Sequence, residues 1–440
     1  MGESGNRNLH LCLEARAPFV PVVTQFVETT ASLFGLGKTE SLKLVLATEE
    51  IFLYLSNAVC PGSSLEVACM DGLYYTRVFF RFYAPRLNLK GLNIASASAD
   101  DRQCDLEEMG LLIASRSVDR LQLTVEKTNR ISLAVTKEKA YPRISEELPC
   151  PEAPDRVVLE TPDPERVKRF ALLAGRFCQG KDRPAFFDYP GTVADMVAGG
   201  EFRCLTAMNS RREIVGGVLF GERSERIVES FGPYLFHGEE RKETGEALLD
   251  ALLARIARTK ILGLLSIDGL PPDLEARFEP LGALSYLAAN RAPVKRPFFF
   301  RHLHEDPGGE VWSREELTSW LVRQYERLVL AREIRTGRDM GETRAGSSLF
   351  AAEISRERAE ALLRPLWPGA DLAANVERHI SYLKGDGLIN LFFEIDLGIP
   401  WHAELIPVLM AGGFRPEILF PFAGQSDLVI FQHHDATEPG

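Results

Sequence analysis

The spacing of apolar residues divides the 440-residue chain into three regions with different element patterns. In the first region, alternating apolar and polar positions predict strands at LHLCLEA, SLEVACM, LYYTRVFFRFY, DRLQLTVEK and NRISLAVTK. Helical periodicity predicts two helices within residues 17–59 and a third at LEEMGLLIASRSV. This order predicts an α+β sandwich over residues 1–142, with helices on one face of a mostly antiparallel sheet.

The second region follows the segment YPRISEELPCPEAPD, whose prolines and glutamates break the periodicity and predict a linker at residues 143–156. Downstream, the pattern predicts the helix DPERVKRFALLAGRF and the strands FRCLTAMN, EIVGGVLFGE and RIVESFGPYLF. The helix RKETGEALLDALLARI and the strand KILGLLSID come next. A helix between two strands indicates a βαβ crossover, so we expect a mixed α/β sheet over residues 157–300.

The third region, residues 301–440, starts with a long charged helix predicted at residues 313–338. Helices predicted at residues 356–367 and 371–383 lie between the strands SSLFAAEI and LINLFFEID. The segments LLSIDGLPPDLEARFEPLGALSYLAA and LFFEIDLGIPWHAELIPVLMAGGFRPEILF share the order strand, Pro, helix, Gly, strand. We interpret this echo as a half-repeat of the middle domain, with chance similarity as the alternative.

Composition narrows the class of protein. With 45% hydrophobic and 26% charged residues, and no apolar run near the roughly 20 residues that cross a bilayer, we expect a soluble chain. The start MGESGNRNLH lacks a signal-peptide core, so we expect a cytoplasmic location without membrane attachment. A net charge of -11 argues against nucleic-acid binding. The seven cysteines form no CxxC pair, which favours free thiols and no metal site.

The helix RKETGEALLDALLARI carries the best candidate for ligand binding. Its first turn leaves amide N–H groups without helical partners, and the helix dipole places partial positive charge there. Lys242 could add a cation to this end, while Gly245 and Ala247 would let a ligand approach the backbone. The alternative is that Gly245 only permits close packing at the start of a helix.

In this context the middle region resembles the GNAT acyltransferase family over residues 157–294. IVGGVLF resembles a central strand of that family, IVESFGPYLF its fourth strand, and RKETGEA its pyrophosphate loop Q/R-x-x-G-x-G/A, with Lys242 replacing the usual Gln or Arg. The resemblance implies acetyl-CoA or another acyl-CoA as cofactor. It also implies which residues contact that cofactor: Ser230, Phe231, Gly232, Lys242, Gly245 and Ala247.

The same resemblance implies a catalytic residue. Glu229 lies where family members hold a base that deprotonates an amine, and the alternative is an ordinary strand carboxylate facing solvent. The tyrosine that often serves as the acid has no counterpart, because PPDLEARFEPLG carries Phe278 and no Tyr. Two alternatives therefore stand for Glu229, a catalytic base or a structural carboxylate.

The first region resembles the anti-sigma-factor kinases, a bacterial branch of the histidine-kinase-like, Bergerat-type ATPases. The helix LKLVLATEEIFLYLSNAV matches their signature helix, with Glu50 at the acidic position. Tyr54 stands where that family has its Mg²⁺-binding Asn, and APRLNLKGLN lacks the Asp and glycines that read adenine. We therefore expect no ATP or Mg²⁺ binding and no kinase activity, but a degenerate domain kept for contact with a protein partner.

Two hypotheses follow for the whole chain. In the first, it is a bacterial cytoplasmic signalling protein whose N-terminal domain binds a partner and whose GNAT-like domain binds acyl-CoA. In the second, it is an active N-acyltransferase in which Glu229 deprotonates a protein or small-molecule amine. A homodimer is a further expectation, since the apolar stripe of the predicted helix at residues 313–338 suits either core packing or dimer contact.

Overall fold

The computed structural model describes residues 7–60, 62–83, 87–96, 106–125, 130–143, 148–152, 156–177, 184–237, 241–287, 293–337, 344–356 and 358–434. Within these residues the chain forms a mixed α+β protein with several sheets, in agreement with the expected fold class. Among the helices described, none is long and apolar enough to cross a membrane.

The N-terminal unit consists of a helical layer on an antiparallel sheet. Its elements are β1 (Asn8–Glu14), α1 (Val20–Leu33), α2 (Lys38–Ala58), β2 (Ser64–Asp71), β3 (Tyr75–Phe82), α3 (Leu106–Ser117), β4 (Arg120–Val125) and β5 (Ile131–Glu138). The strand order is β1-β2-β3-β5-β4, and each described pair is antiparallel. The buried faces of α1 and α2 share one apolar core with β2, β3 and β5, so the helices cover one face of the sheet.

The middle unit is built on a seven-stranded mixed sheet in the described residues. Its elements are β6 (Val158–Glu160), α4 (Pro164–Phe177), α5 (Pro190–Ala198), β7 (Phe202–Met208), β8 (Ile214–Glu222), β9 (Ile227–Leu235), α6 (Arg241–Ile256), β10 (Gly263–Asp268), α7 (Pro272–Glu275), β11 (Glu279–Leu287) and β12 (Pro293–His302). The strand order is β11-β12-β10-β9-β8-β7-β6, with β9 and β10 parallel. Because β12 runs to His302, the boundary predicted at residue 300 falls inside this strand.

The C-terminal unit contains a two-stranded sheet and a second five-stranded sheet. Its elements are β13 (Gly309–Ser313), α8 (Glu315–Leu328), β14 (Arg332–Thr336), β15 (Leu349–Ser355), β16 (Glu360–Trp367), α9 (Leu372–Gly385), β17 (Asn390–Asp396), α10 (Leu405–Ala411), β18 (Phe414–Phe420) and β19 (Leu428–His433). The described 3₁₀ turns of the whole chain are Ala17–Phe19, Lys90–Leu92, Ala185–Asp188 and Pro400–Glu404.

The larger C-terminal sheet repeats the topology of the middle sheet. The order β15-β16-β17-β19-β18 matches β8-β9-β10-β12-β11, and each neighbouring pair has the same relative direction in both sheets. Helices α9 and α10 occupy the same connections as α6 and α7. The two segments with the shared order strand, Pro, helix, Gly, strand correspond to β10–α7–β11 and β17–α10–β18.

Two predicted helices differ from the structure. The helix predicted at residues 313–338 ends at Leu328, because Val329 adopts a left-handed conformation (φ 53°) and the chain then pairs as β14 beside β13. The helix predicted at residues 356–367 is instead strand β16, paired with both β15 and β17. Its Ala, Leu, Glu and Arg residues favour helix locally, but sheet pairing on both sides overrides that preference.

Candidate functional site

Strands β9 and β10 part at one end of the middle sheet. Their parallel pairing ends where Phe231 faces Asp268, after an irregular register step. Strand β9 continues to Leu235, which pairs with Gly216 on β8 at the other side. Beyond Asp268 no pairing of β9 with β10 is described, and we call this end of the two parallel strands the gap between β9 and β10. The carboxyl ends of parallel strands are where α/β sheets commonly bind ligands.

Polar and aromatic side chains meet across this gap. The hydroxyl of Tyr234 on β9 donates to Asp268 Oδ2 at the end of β10, at 2.5 Å. Arg296 on β12 places its Nε 3.9 Å from Asp268 Oδ1. Gly269 has φ 73°, and a Cβ there would lie 2.4 Å from the Tyr234 ring. The ring therefore needs a glycine at this position of the following turn.

The three residues expected beside pantetheine are all buried. The Ser230 hydroxyl donates to the backbone carbonyl of Leu265 on β10, at 3.3 Å. Phe231 packs edge-to-face on Phe186, with ring centroids 5.5 Å apart. Gly232 has φ 97°, and a Cβ there would lie 2.6 Å from the backbone nitrogen two residues on. Each of these residues thus has a structural role of its own beside the gap.

Helix α6 begins beside the same end of β9. Gly245 is buried in its second turn, where a Cβ would lie 3.3 Å from Leu274 Cδ1 and 3.4 Å from Leu235 Cδ1. The glycine therefore permits close packing, as the alternative interpretation of the motif holds. Lys242 is 64% exposed, with its Nζ 4.0 Å from Glu246 Oε1 along the helix surface.

The remaining residues of the motif face different surroundings. Glu243 is exposed, Ala247 is half-buried, and Thr244 is buried. The carboxylates of Glu243 and Glu246 are thus at the solvent side of the helix, and the first-turn amide groups stay the strongest local attraction for an anion. Glu240, the acidic residue directly before this helix in the sequence, lies outside the described residues.

Glu229 belongs to a chain of ion pairs that joins two units of the protein. Its Oε2 lies 3.3 Å from Arg223 Nη1, and its side chain is 15% exposed. The other terminal nitrogen of the Arg223 guanidinium, Nη2, lies 2.9 Å from Glu394 Oε2 on β17. Arg364 on β16 then contacts Glu394 Oε1 at 2.8 Å and Glu353 Oε2 at 2.9 Å. The candidate base is therefore a paired carboxylate and does not face open solvent.

The pKa values in this chain of ion pairs follow from its alternating charges. Burial alone would raise the pKa of the Glu394 carboxyl, but the guanidinium groups of Arg364 and Arg223 outweigh burial and hold that pKa below its usual range. Burial would likewise lower the pKa of Arg223, yet the carboxylates of Glu394 and Glu229 raise it. Glu394 and Arg223 are therefore both charged near neutral pH.

The two parts of the predicted site lie on opposite faces of the sheet. Val228 shares a core with Leu248 and Leu249 of α6, whereas its neighbour Ile227 belongs to the core shared with the C-terminal unit. Glu229 projects to this second face, as its contacts with Arg223 and Glu394 require.

Sequence reasoning missed four residues around the site: Tyr234, Asp268, Arg223 and Glu394. Glu394 carries a detectable signal, because a carboxylate inside the apolar strand LFFEID needs a buried partner. That partner, Arg223, lies in another unit of the chain, so no local sequence pattern predicts the pairing.

The N-terminal unit bears on the expected loss of ATP binding. Glu50 on α2 lies against α3, where a Cβ on Gly110 would be 2.2 Å from Glu50 Oε2. Burial, together with the charge of Glu49, raises the pKa of Glu50. The Tyr54 hydroxyl accepts the backbone N–H of Asn88 at 2.9 Å. Both residues that the sequence resemblance aligns with the acidic and metal-binding positions are thus engaged in contacts within the N-terminal unit.

No family model and no curated protein matches the chain. Solved structures that match about a third of the chain include acetyltransferases, among them a member of the GNAT superfamily. A phosphinothricin acetyltransferase of Sinorhizobium meliloti in complex with AcCoA is 18% identical (TM-score 0.28), covering 34% of this chain and 89% of its own. An N-acetyltransferase of Staphylococcus aureus Mu50 is 13% identical (TM-score 0.28), covering 34% and 100%. An aminoglycoside 6'-N-acetyltransferase complexed with coenzyme A is 11% identical (TM-score 0.27), covering 34% and 99%.

Proposed function

We propose that this chain is a bacterial cytoplasmic regulatory protein whose middle unit binds acyl-CoA and whose N-terminal unit binds a protein partner. The observation that carries the cofactor proposal is the parting of β9 and β10 next to the start of α6. A long, thin ligand can pass between strands that have parted, while its phosphates meet the free amide groups of the helix.

The residues around the gap fit such a ligand. Ser266 on β10, which faces Ser230, is buried and its hydroxyl has no hydrogen-bond partner among the described residues. An amide group of pantetheine in the gap would satisfy this hydroxyl. Lys242 would contact the phosphates from the exposed side of α6. The cofactor itself would supply the activated thioester.

The N-terminal proposal rests on an apolar outer surface. Helices α2 and α3 pack side by side, and both expose large apolar side chains on the face away from the sheet. The exposed residues are Leu42, Leu46, Leu53, Met109 and Ile113. Several exposed large apolar side chains on two adjacent helices are typical of a protein-binding surface.

An N-acyltransferase is the second candidate, and the position of Glu229 favours it. This carboxylate lies on β9 two residues before pairing with β10 ends, so it is close to where a thioester in the gap would lie. As a base it would accept the proton of an attacking amine. The ion pair with Arg223 and the missing acid favour the regulator.

Titration calorimetry with acetyl-CoA tests the cofactor proposal. We expect saturable binding to the full chain, weakened about tenfold by Lys242→Glu, because reversing one exposed charge near a phosphate costs about 1 kcal/mol or more. Lys260→Glu is the matched control, since Lys260 is 69% exposed and lies beyond the other end of α6. No binding at millimolar acetyl-CoA would overturn the proposal, and equal effects of the two substitutions would place the ligand elsewhere.

A further inference from the structure

The face of the middle sheet that carries Glu229 is covered by another part of the same chain. On this face Ile227, Leu265 and Phe298 belong to one continuous apolar core with β16, β17 and β18. Phe298 packs on Phe420, with ring centroids 5.4 Å apart, and Tyr286 packs on Phe392 at 5.2 Å. The C-terminal unit thus lies over the surface from which an amine would approach Glu229.

Polar contacts fasten this cover beside Glu229. The Ser224 hydroxyl donates to the backbone carbonyl of Phe422 at 2.6 Å. One residue earlier, Arg223 bridges Glu229 and Glu394. Farther along the interface, the Asn390 side-chain carbonyl accepts the backbone N–H of Leu287 at 2.8 Å. The Arg223 guanidinium therefore contacts both the candidate base, Glu229, and Glu394 of the covering C-terminal unit.

We infer that the C-terminal unit is a built-in cover of the acceptor side of this site, with Arg223 as the latch. An amine acceptor, whether a lysine of a protein or a small amine, reaches Glu229 only when the contact between Arg223 and Glu394 opens. In the closed form the middle unit binds acyl-CoA without transferring the acyl group. This inference rests on the proposed function in assigning the site to acyl-CoA, but the closure itself can be measured without cofactor.

Carboxyl labelling of the full chain tests the closure. A water-soluble carbodiimide couples accessible carboxylates to glycine ethyl ester, a small amine, and peptide mass spectrometry reads each position. Glu222 on the neighbouring strand is the internal reference, because its side chain is 63% exposed against 15% for Glu229. We expect Glu222 to be labelled at least about four times faster than Glu229, in proportion to those exposures.

A double variant opens the latch. Ser224→Ala with Glu394→Gln removes the hydrogen bond to the cover and the charge that holds Arg223, and should raise labelling of Glu229 severalfold. Glu353→Gln is the control, since it removes a carboxylate from the same chain of ion pairs without touching Arg223.

Two results would overturn the inference. One is labelling of Glu229 in the wild-type protein at the rate of Glu222, a comparison that needs no variant to fold. The other is unchanged labelling in a double variant that keeps its native circular dichroism. Titration of the same preparations with acetyl-CoA distinguishes this inference from the proposed function. If acetyl-CoA does not bind, the cofactor proposal is wrong, but the labelling result still shows whether the C-terminal unit covers Glu229.

Discussion

A buried histidine should make the C-terminal unit sensitive to mild acid. His379 on α9 is fully buried, and its ring lies against Phe350 with centroids 5.3 Å apart. Its Nδ1 must donate to the backbone carbonyl of Asn375, at 2.9 Å, so the proton of the neutral ring is on Nδ1. Nε2 has no hydrogen-bond partner among the described residues. A second proton on this ring would therefore be both buried and unpaired.

The size of the effect follows from the pKa shift. Burial lowers the pKa of His379 from 6.5 to about 4. The unfolded chain then binds more protons than the folded one between these values, so stability is fully present above pH 6.5 and falls as the pH drops toward 4. From these two pKa values, the loss at pH 5 is about 2 kcal/mol.

We expect His379→Leu to remove this loss. Urea unfolding at pH 7.5, 6 and 5 can follow tryptophan fluorescence, because all four tryptophans lie in residues 312–401. The variant keeps His402, whose pKa burial also lowers to about 4, so roughly half of the acid sensitivity should remain. His304→Leu, at an exposed loop position, is the control. An identical fall in stability between pH 7.5 and 5 for wild type and His379→Leu would refute the reasoning.

Two further expectations concern the C-terminal core and the N-terminal surface. Asp427→Asn should lower the free energy of unfolding by about 3–5 kcal/mol, because it removes a charged partner of the buried Arg332 side chain. Glu333→Gln, which removes a partner from an exposed ion pair, should cost less than about 1 kcal/mol. A small effect of Asp427→Asn in urea unfolding would contradict this expectation. If a homodimer forms through the exposed apolar side chains of α2 and α3, Leu46→Glu should abolish self-association measured by light scattering, while Val322→Glu on α8, at an equally exposed position, should not; a homodimer contact through α8 would reverse these effects. A monomeric wild-type protein would exclude the homodimer.

Most strands and helices could be predicted from the sequence, because apolar residues repeat with a different spacing in strands than in helices. The strands β2, β3, β5, β8 and β9 follow runs of alternating or continuous apolar residues bounded by turns. Strand β16 was missed because its Ala- and Leu-rich sequence favours helix, and its neighbours β15 and β17 decide its conformation. Local preference cannot detect a partner that is supplied by another segment.

The candidate site could be predicted only in part, for a related reason. Lys242, Gly245 and Ala247 stand close together in one helix, so their spacing is visible in the sequence. The partner of Glu229 is not visible, because Arg223 gains its position from Glu394, which lies 171 residues further along the chain. Whether a strand carboxylate faces solvent or another unit depends on how the units pack, and no motif records that.

The two sheets of shared topology differ at the start of the helix that would meet a phosphate. Asp371 precedes α9, and its Oδ1 accepts the Ser348 backbone N–H at 2.6 Å and the Ser348 hydroxyl at 2.8 Å. The side chain of Asn93, from the N-terminal unit, donates to the Ser348 carbonyl at 2.8 Å, and that of Asn375 donates to the same oxygen at 3.0 Å. A carboxylate of the chain and a side chain of another unit thus lie where an anion would approach the dipole of α9.

At α6 the described first turn carries Lys242, which is exposed, and Glu240, at the position that corresponds to Asp371, lies outside the described residues. Through Asn93 the C-terminal sheet holds the N-terminal unit, and through Glu394 it holds Arg223 and the Glu229 face. Under the proposed function, a partner that shifts the N-terminal unit would act on the same sheet that covers Glu229, and this contact would give a physical route from partner binding to the proposed acyl-CoA site.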